Sequence, residues 1–158
     1  MSDMLVKLYD LPPLTPALDA MASINVTIRR ALPHEKYPLT DWVDTNFGKP
    51  WRGETDVSLA KTPPACFVAI LDETLVGFAC HDAVCRGFFG PIGVDESYRG
   101  KGIGKALLLA CLHGMHQLGH AYAIIGMVGP TEFYASQVGA IIIPNSTPGI
   151  WATGFKQS

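Results

Sequence analysis

Between Glu96 and Leu112 the chain reads ESYRGKGIGKALLLACL: Gly100, Gly102 and Gly104 stand two residues apart, Arg99, Lys101 and Lys105 alternate with them, and an apolar run follows at once. Glycine takes positive φ without steric cost and lets the main chain come close to a ligand. The first turn of a helix carries N–H groups with no carbonyl partner, at the positive end of the helix dipole. Together these features describe a cradle for phosphate or another anion. The plainer alternative is a turn followed by a helix start.

Two nucleotide-binding patterns can be tested against these letters, and both fail. A dinucleotide fingerprint needs G-x-G-x-x-G and an acidic residue about 20 positions on to hold a ribose. Here the glycines run Gly100, Gly102, Gly104, and no Asp or Glu occurs from Ser97 until Glu132. A Walker loop needs a hydroxyl after its lysine to hold magnesium. Ala106 occupies that place, and the glycine spacing is one residue short.

Other side chains with chemical potential are less well arranged. His113, His116 and His120 have helical spacing, but Gly119 breaks the helix before the third and no acid assists, so they read as a solvated face. Cys66, Cys80, Cys85 and Cys111 form no C-x-x-C pair and sit among apolar residues, the pattern of buried, reduced thiols. No metal site is expected.

The elements that position the glycine loop follow from periodicity. Ile24, Val26 and Ile28 alternate with Asn25, Thr27 and Arg29 as a half-buried strand. Leu39, Trp42, Val43 and Phe47 recur at helical spacing after Thr40, read as a cap, and Gly48 with Pro50 ends that helix. A short second helix is expected over Thr55 to Lys61. The runs Cys66 to Leu71 and Leu75 to His81, joined by an acidic turn, form a hairpin. A strand ends at Val94, and the helix after the loop runs from Gly102 to Leu118, stopped by Gly119. AYAIIGMV is a strand, PTEFYASQV a short helix opened by Pro130, and GAIIIP a last strand. The expected fold class is α/β (α+β): a mixed sheet with helices on its faces, in one domain over residues 1–158. Residues 1–22 read as an N-terminal arm or edge strand at Leu5 to Tyr9 plus a linker rich in proline.

Composition narrows the partners. A net charge of −2 lacks the basic excess of a nucleic-acid binder, so none is expected. The longest apolar run, Ala106 to Leu112, is far short of the ~20 residues of a membrane helix. The N-terminus has no basic stretch leading into an apolar one, so no signal peptide is read, and a cytoplasmic protein without membrane association is expected.

The order of elements and the pattern R/Q-x-x-G-x-G/A, met by Arg99, Gly102 and Gly104, resemble the GNAT superfamily of acetyl-CoA-dependent N-acetyltransferases. EFYASQVGA, with Phe133, Tyr134 and Gly139, is similar to a second segment of that family. The resemblance implies a mostly antiparallel central sheet with helices on both faces, and acetyl-CoA as co-substrate. Its diphosphate would rest on the amides of Arg99, Gly100, Lys101, Gly102, Ile103 and Gly104, with help from Lys105. Its pantetheine arm would pair with Ile92 and Val94, and an N–H near Val94 would face the thioester oxygen. Tyr134 would serve as general acid to the departing thiolate, a phenol of pKa about 10 beside a thiol of about 8.5.

The resemblance leaves the base open. Phe88 stands where some members carry Glu; His81 and Asp82 are the next candidates, followed by Glu54 and Glu96. Phe47, Trp51 and Glu54 are expected to bind the acceptor, a small-molecule amine or a protein amine. A homodimer using the apolar arm Leu5 to Leu14 is compatible with the family. The rival function is a CoA-binding or ligand-sensing module without turnover.

Overall fold

In the computed structural model, which describes residues 1–156, Asp72 and Glu73 take positive φ (47° and 63°) and fold β3 (Cys66–Leu71) back on β4 (Thr74–His81). Two consecutive positive φ values match the twist of the flanking strands, so the acidic turn closes a tight hairpin. The hairpin belongs to a seven-stranded sheet in the order β2 (Val26–Arg30), β3, β4, β5 (Phe88–Val94), β6 (Tyr122–Ile125), β1 (Met4–Lys7), β7 (Ile141–Ile142). Every neighbouring pair is antiparallel except β5 and β6, which are parallel. This is the mixed, mostly antiparallel sheet expected.

Helices cover both faces. α4 (Ile103–Gln117) packs on one with α1 (Thr15–Ala22), while α2 (Lys36–Phe47) and α3 (Lys49–Leu59) pack on the other. Strand alternation sorts the core: Ala69, Gly77 and Ala79 face α4, whereas Val68, Phe78 and Cys80 face α2 and α3. Small residues under α4 let it lie close. A Cβ on Gly77 would come within 2.9 Å of Leu107 Cδ1. α4 in turn buries Ile103 and every residue from Ala106 to Leu112, as its apolar girth requires.

The N-terminal segment departs from expectation. β1 is no edge strand: it is inserted between β6 and β7 and hydrogen-bonded to both. Met4 and Val6 are 2% and 0% exposed, and burying them is what draws the strand inside the sheet. The supposed linker is largely α1, with Pro16 in its first turn, where a missing N–H costs nothing. Leu8 is buried, and Leu11 and Leu14 pack on the core, so the arm read as a dimer surface is used within its own chain.

Smaller differences have local causes. Ile24 is exposed because Asn25 turns at φ 62° and delays the strand until Val26. Thr40 is no cap: it is buried inside α2 and donates to the Lys36 carbonyl at 2.9 Å. α3 begins at Lys49, where Pro50 starts it, so Trp51 and Glu54 stand on a helix and not in a loop.

Candidate functional site

The site is created where β5 leaves β6. The register of β5 on β4 shifts between the pairs Ala79–Ile92 and His81–Phe89, a bulge that accommodates Gly90 and Pro91. On the other side β5 meets β6 at Phe88 and Phe89, and residues 90–94 have no strand neighbour there among the described residues. The polar edge of this stretch follows from the ladder. Asp95 N–H donates to the Val76 carbonyl at 2.8 Å, so the opposed pairs Gly77–Val94 and Ala79–Ile92 are the non-hydrogen-bonded ones. The main-chain N–H and C=O groups of Ile92 and Val94 therefore point away from β4, into the split between β5 and β6. The Val94 carbonyl accepts Arg99 Nε–H at 3.2 Å.

The glycine loop closes one end of this split. Asp95 accepts the Ser97 N–H and starts a short 3-10 turn over Glu96–Tyr98, after which Gly100 and Gly102 adopt φ of 80° and 87°. Among the described residues, no backbone N–H from Gly100 to Lys105 has an acceptor, and the first helical bond of α4 is Ala106 N–H to the Gly102 carbonyl. Such a run of free donors, at a helix N-terminus with Arg99 and Lys105 beside it, fits a diphosphate. Lys101 turns elsewhere, its Nζ lying 5.6 Å from the centre of the Tyr98 ring.

A cavity of about 860 Å³ occupies the split. Its walls are Phe89 to Val94 on one side, the loop from Arg99 to Lys105 at one end without Lys101, and Gly126, Gly129 and Pro130 on the other side. Tyr134, on α5 (Thr131–Val138), lines the opposite end, its ring edge-on to Phe89 at 6.3 Å. Burial pushes the Tyr134 phenol up to about 12. Its hydroxyl has no hydrogen-bond partner among the described residues, which leaves an unclaimed donor on a residue of the cavity wall.

The sequence model of the GNAT acetyltransferase family matches residues 30–136. The chain belongs to this family. The family is one of acetyltransferases that use acetyl-CoA, and the matched stretch includes the split strand, the glycine loop and Tyr134. β1, α1 and β7 lie outside it.

Solved GNAT structures share the fold. A GCN5-related glucosamine N-acetyltransferase region of a fungal multi-domain GH3 β-N-acetylglucosaminidase superposes with a TM-score of 0.74 at 16% identity, over 90% of this chain and 19% of that one. A GCN5-related N-acetyltransferase from Sphaerobacter thermophilus gives 0.63 at 17%, over 90% of this chain and 48% of that one. An aminoglycoside acetyltransferase from an uncultured soil metagenomic sample gives 0.54 at 17%, over 74% and 89%. The chain thus spans less than half the length of the first two. A comparison with curated proteins yields no match.

Within this GNAT domain the expected bases do not reach the cavity. His81 is 1% exposed; Arg30 Nη1 donates to its Nε2 at 3.1 Å, which leaves the proton on Nδ1, and Nδ1–H donates to Asp82 at 2.6 Å. Burial lowers the His81 pKa against the pull of Asp82, so the ring is held neutral. Asp82 also accepts the Gly87 N–H and lies 3.2 Å from His120 Nε2. Both residues border a separate hollow beside Arg86 and Leu118. Glu96 is exposed on the short turn and does not line the cavity.

Phe47 and Trp51 belong both to the core and to the cavity wall. They stack at 5.2 Å, pack against Phe78, and line the large cavity. Glu54 lies one helical turn beyond Trp51, in a smaller cavity of about 200 Å³ with Pro50, Val84, Phe88, Met127 and Trp151. The two cavities share Trp51, Phe89, Gly90, Pro91 and Gly126. Trp151 carried no signal in the sequence, because only the packing of distant segments brings it beside Glu54. Of His113, His116 and His120, the first hydrogen-bonds the Pro12 carbonyl at 2.8 Å from within α4, while His120, past the end of that helix, meets Asp82, so they serve different neighbours.

Proposed function

We propose that the protein is an N-acetyltransferase that passes the acetyl group of acetyl-CoA to a primary amine by direct attack in a ternary complex. The observation that carries this is the alignment of three sets of unpaired donors along one cavity: the amides of residues 100–105, the free edge at Ile92 and Val94, and the Tyr134 hydroxyl. The free amides with Arg99 and Lys105 hold the diphosphate, and the pantetheine arm lies along β5 as an added strand.

With the diphosphate at the Val94 end, the thioester lies deeper, toward the bulge and Tyr134. The oxyanion that forms on attack then faces the Ile92 N–H, since Pro91 has none to offer, and Val94 serves the pantetheine. As the C–S bond breaks, Tyr134 donates to the thiolate. Its raised pKa keeps the phenol protonated across the working range, so the donor is always loaded.

Isothermal titration with acetyl-CoA, followed by thiol release in the presence of amines, tests the proposal. Micromolar binding and amine-dependent thiol release are expected. Absence of binding at high micromolar acetyl-CoA refutes it, whereas binding without release for any amine favours a sensor.

A further inference from the structure

None of the side chains lining the large cavity is Asp, Glu or His. The reacting nitrogen must therefore lose its proton to a group beyond it, and the adjoining cavity contains one. Glu54 is the single ionisable side chain in a lining otherwise made of aromatic, aliphatic and glycine residues. No hydrogen bond or ion pair engages its carboxylate among the described residues, and burial alone moves its pKa, upward. A half-buried carboxylate with no partner is costly unless a cation arrives to share its site.

The rest of the cavity defines what that cation carries. Trp151 and Phe88 converge over Gly126: a Cβ there would lie 2.7 Å from Trp151 Cη2 and 3.2 Å from Phe88 Cε2. Trp51 is shared with the large cavity and Met127 borders the smaller one. Nothing in this lining can neutralise a carboxylate on the ligand, and no second acid can take a second ammonium.

We infer that the acceptor is a small apolar primary amine with one positive charge, its body held by Trp51, Phe88, Met127 and Trp151 and its nitrogen held and deprotonated by Glu54. The inference rests on the transferase proposal and deepens it. The ammonium gives one proton to the Glu54 carboxylate, directly or through one water, and the neutral nitrogen attacks the acetyl carbonyl carbon. The C–N bond forms as the C–S bond breaks, and the thiolate takes the Tyr134 proton. The new amide nitrogen sheds its second proton, which reloads Tyr134, while Glu54 returns its own to solvent. The products are the N-acetyl amine, the free thiol and one released proton.

The test compares matched amines with the full chain: 2-phenylethylamine against phenylalanine, which adds a carboxylate, and pentylamine against 1,5-diaminopentane, which adds a second charge. Binding of acetyl-CoA is titrated separately. Each apolar amine is expected to exceed its charged counterpart in kcat/KM by about 30-fold or more, the scale at which a mismatched pocket discriminates. Glu54→Gln is expected to lose about 100-fold or more in kcat/KM and its acid limb, with the affinity for acetyl-CoA unchanged. Equal or better turnover of the charged counterparts overturns the inference, as does a Glu54→Gln enzyme with wild-type pH dependence. So does acetyl-CoA binding with no turnover of either apolar amine, an outcome that leaves the cofactor assignment standing. Failure to bind acetyl-CoA removes the transferase proposal itself.

Discussion

The Phe47 ring lies directly on the backbone of Gly93, so close that a Cβ at position 93 would fall inside its van der Waals envelope. The contact joins α2 to the strand that carries the split. It holds Phe47 at the cavity wall, stacked on Trp51. Gly93→Ala must therefore displace an aromatic ring that Phe78 and Trp51 prevent from moving freely.

That substitution should cost about 1–3 kcal/mol, the range for overpacking. Urea denaturation should show a lower midpoint at unchanged slope. In a Phe47→Ala background the added cost of Gly93→Ala should nearly vanish, because the two changes act on one contact.

The glycine loop predicts a separation of fold from binding. Gly102 sits at φ 87°, and an added Cβ would meet Met21 Cε at 3.3 Å. Gly102→Ala should lose about 1–2 kcal/mol to the left-handed conformation and keep acetyl-CoA affinity within about tenfold. Gly102→Glu brings a negative charge to the amides and should weaken binding by about 100-fold or more, read by titration calorimetry.

Tyr134→Phe should lower kcat by about 100-fold while the affinity for acetyl-CoA holds, since only the donor to the leaving sulfur is removed. With the phenol pushed up to about 12 by burial, the wild-type rate should show no alkaline loss from this residue below about pH 11. A kcat profile with a falling limb near pH 9 that Tyr134→Phe abolishes would contradict the assignment.

Asp82 predicts stability without catalysis. Burial pushes its pKa up, but the Gly87 N–H and His81 outweigh this and leave it lowered; burial also lowers His81. Groups with depressed folded pKa values contribute stability above their unfolded values, near 6.5 for His and 3.9 for Asp. That stability is lost as pH falls through the folded values. The fold should therefore weaken on acidification below about pH 6.5, and Asp82→Asn should be about 2–3 kcal/mol less stable at pH 7 with unchanged acetyl-CoA affinity.

Glu54 has the opposite sign. Its raised pKa means that ionising it opposes folding, so its contribution is favourable below the unfolded carboxylate value and lost as pH rises through the folded one. Glu54→Gln should melt at or above the wild-type temperature at pH 8, with the difference shrinking toward pH 4.

Local chemistry determined much of this protein before any folding was considered. The glycine spacing with its basic residues, the acidic turn after Leu71, the apolar girth of α4 and the Pro130 start of α5 are each written in contiguous residues, because φ preference, capping and periodicity act over a few positions. Tertiary structure decided what depends on distant segments meeting. It put β1 inside the sheet because Met4 and Val6 are worth more buried than at an edge, and it sealed His81 behind Arg30 and Asp82. It also turned the Ile92 and Val94 edge into a cavity through a bulge, and gathered Glu54, Phe88, Met127 and Trp151 from four parts of the chain. Burial and hydrogen-bond pairing set which ionisable group is free to react, and neither can be read from neighbours in sequence.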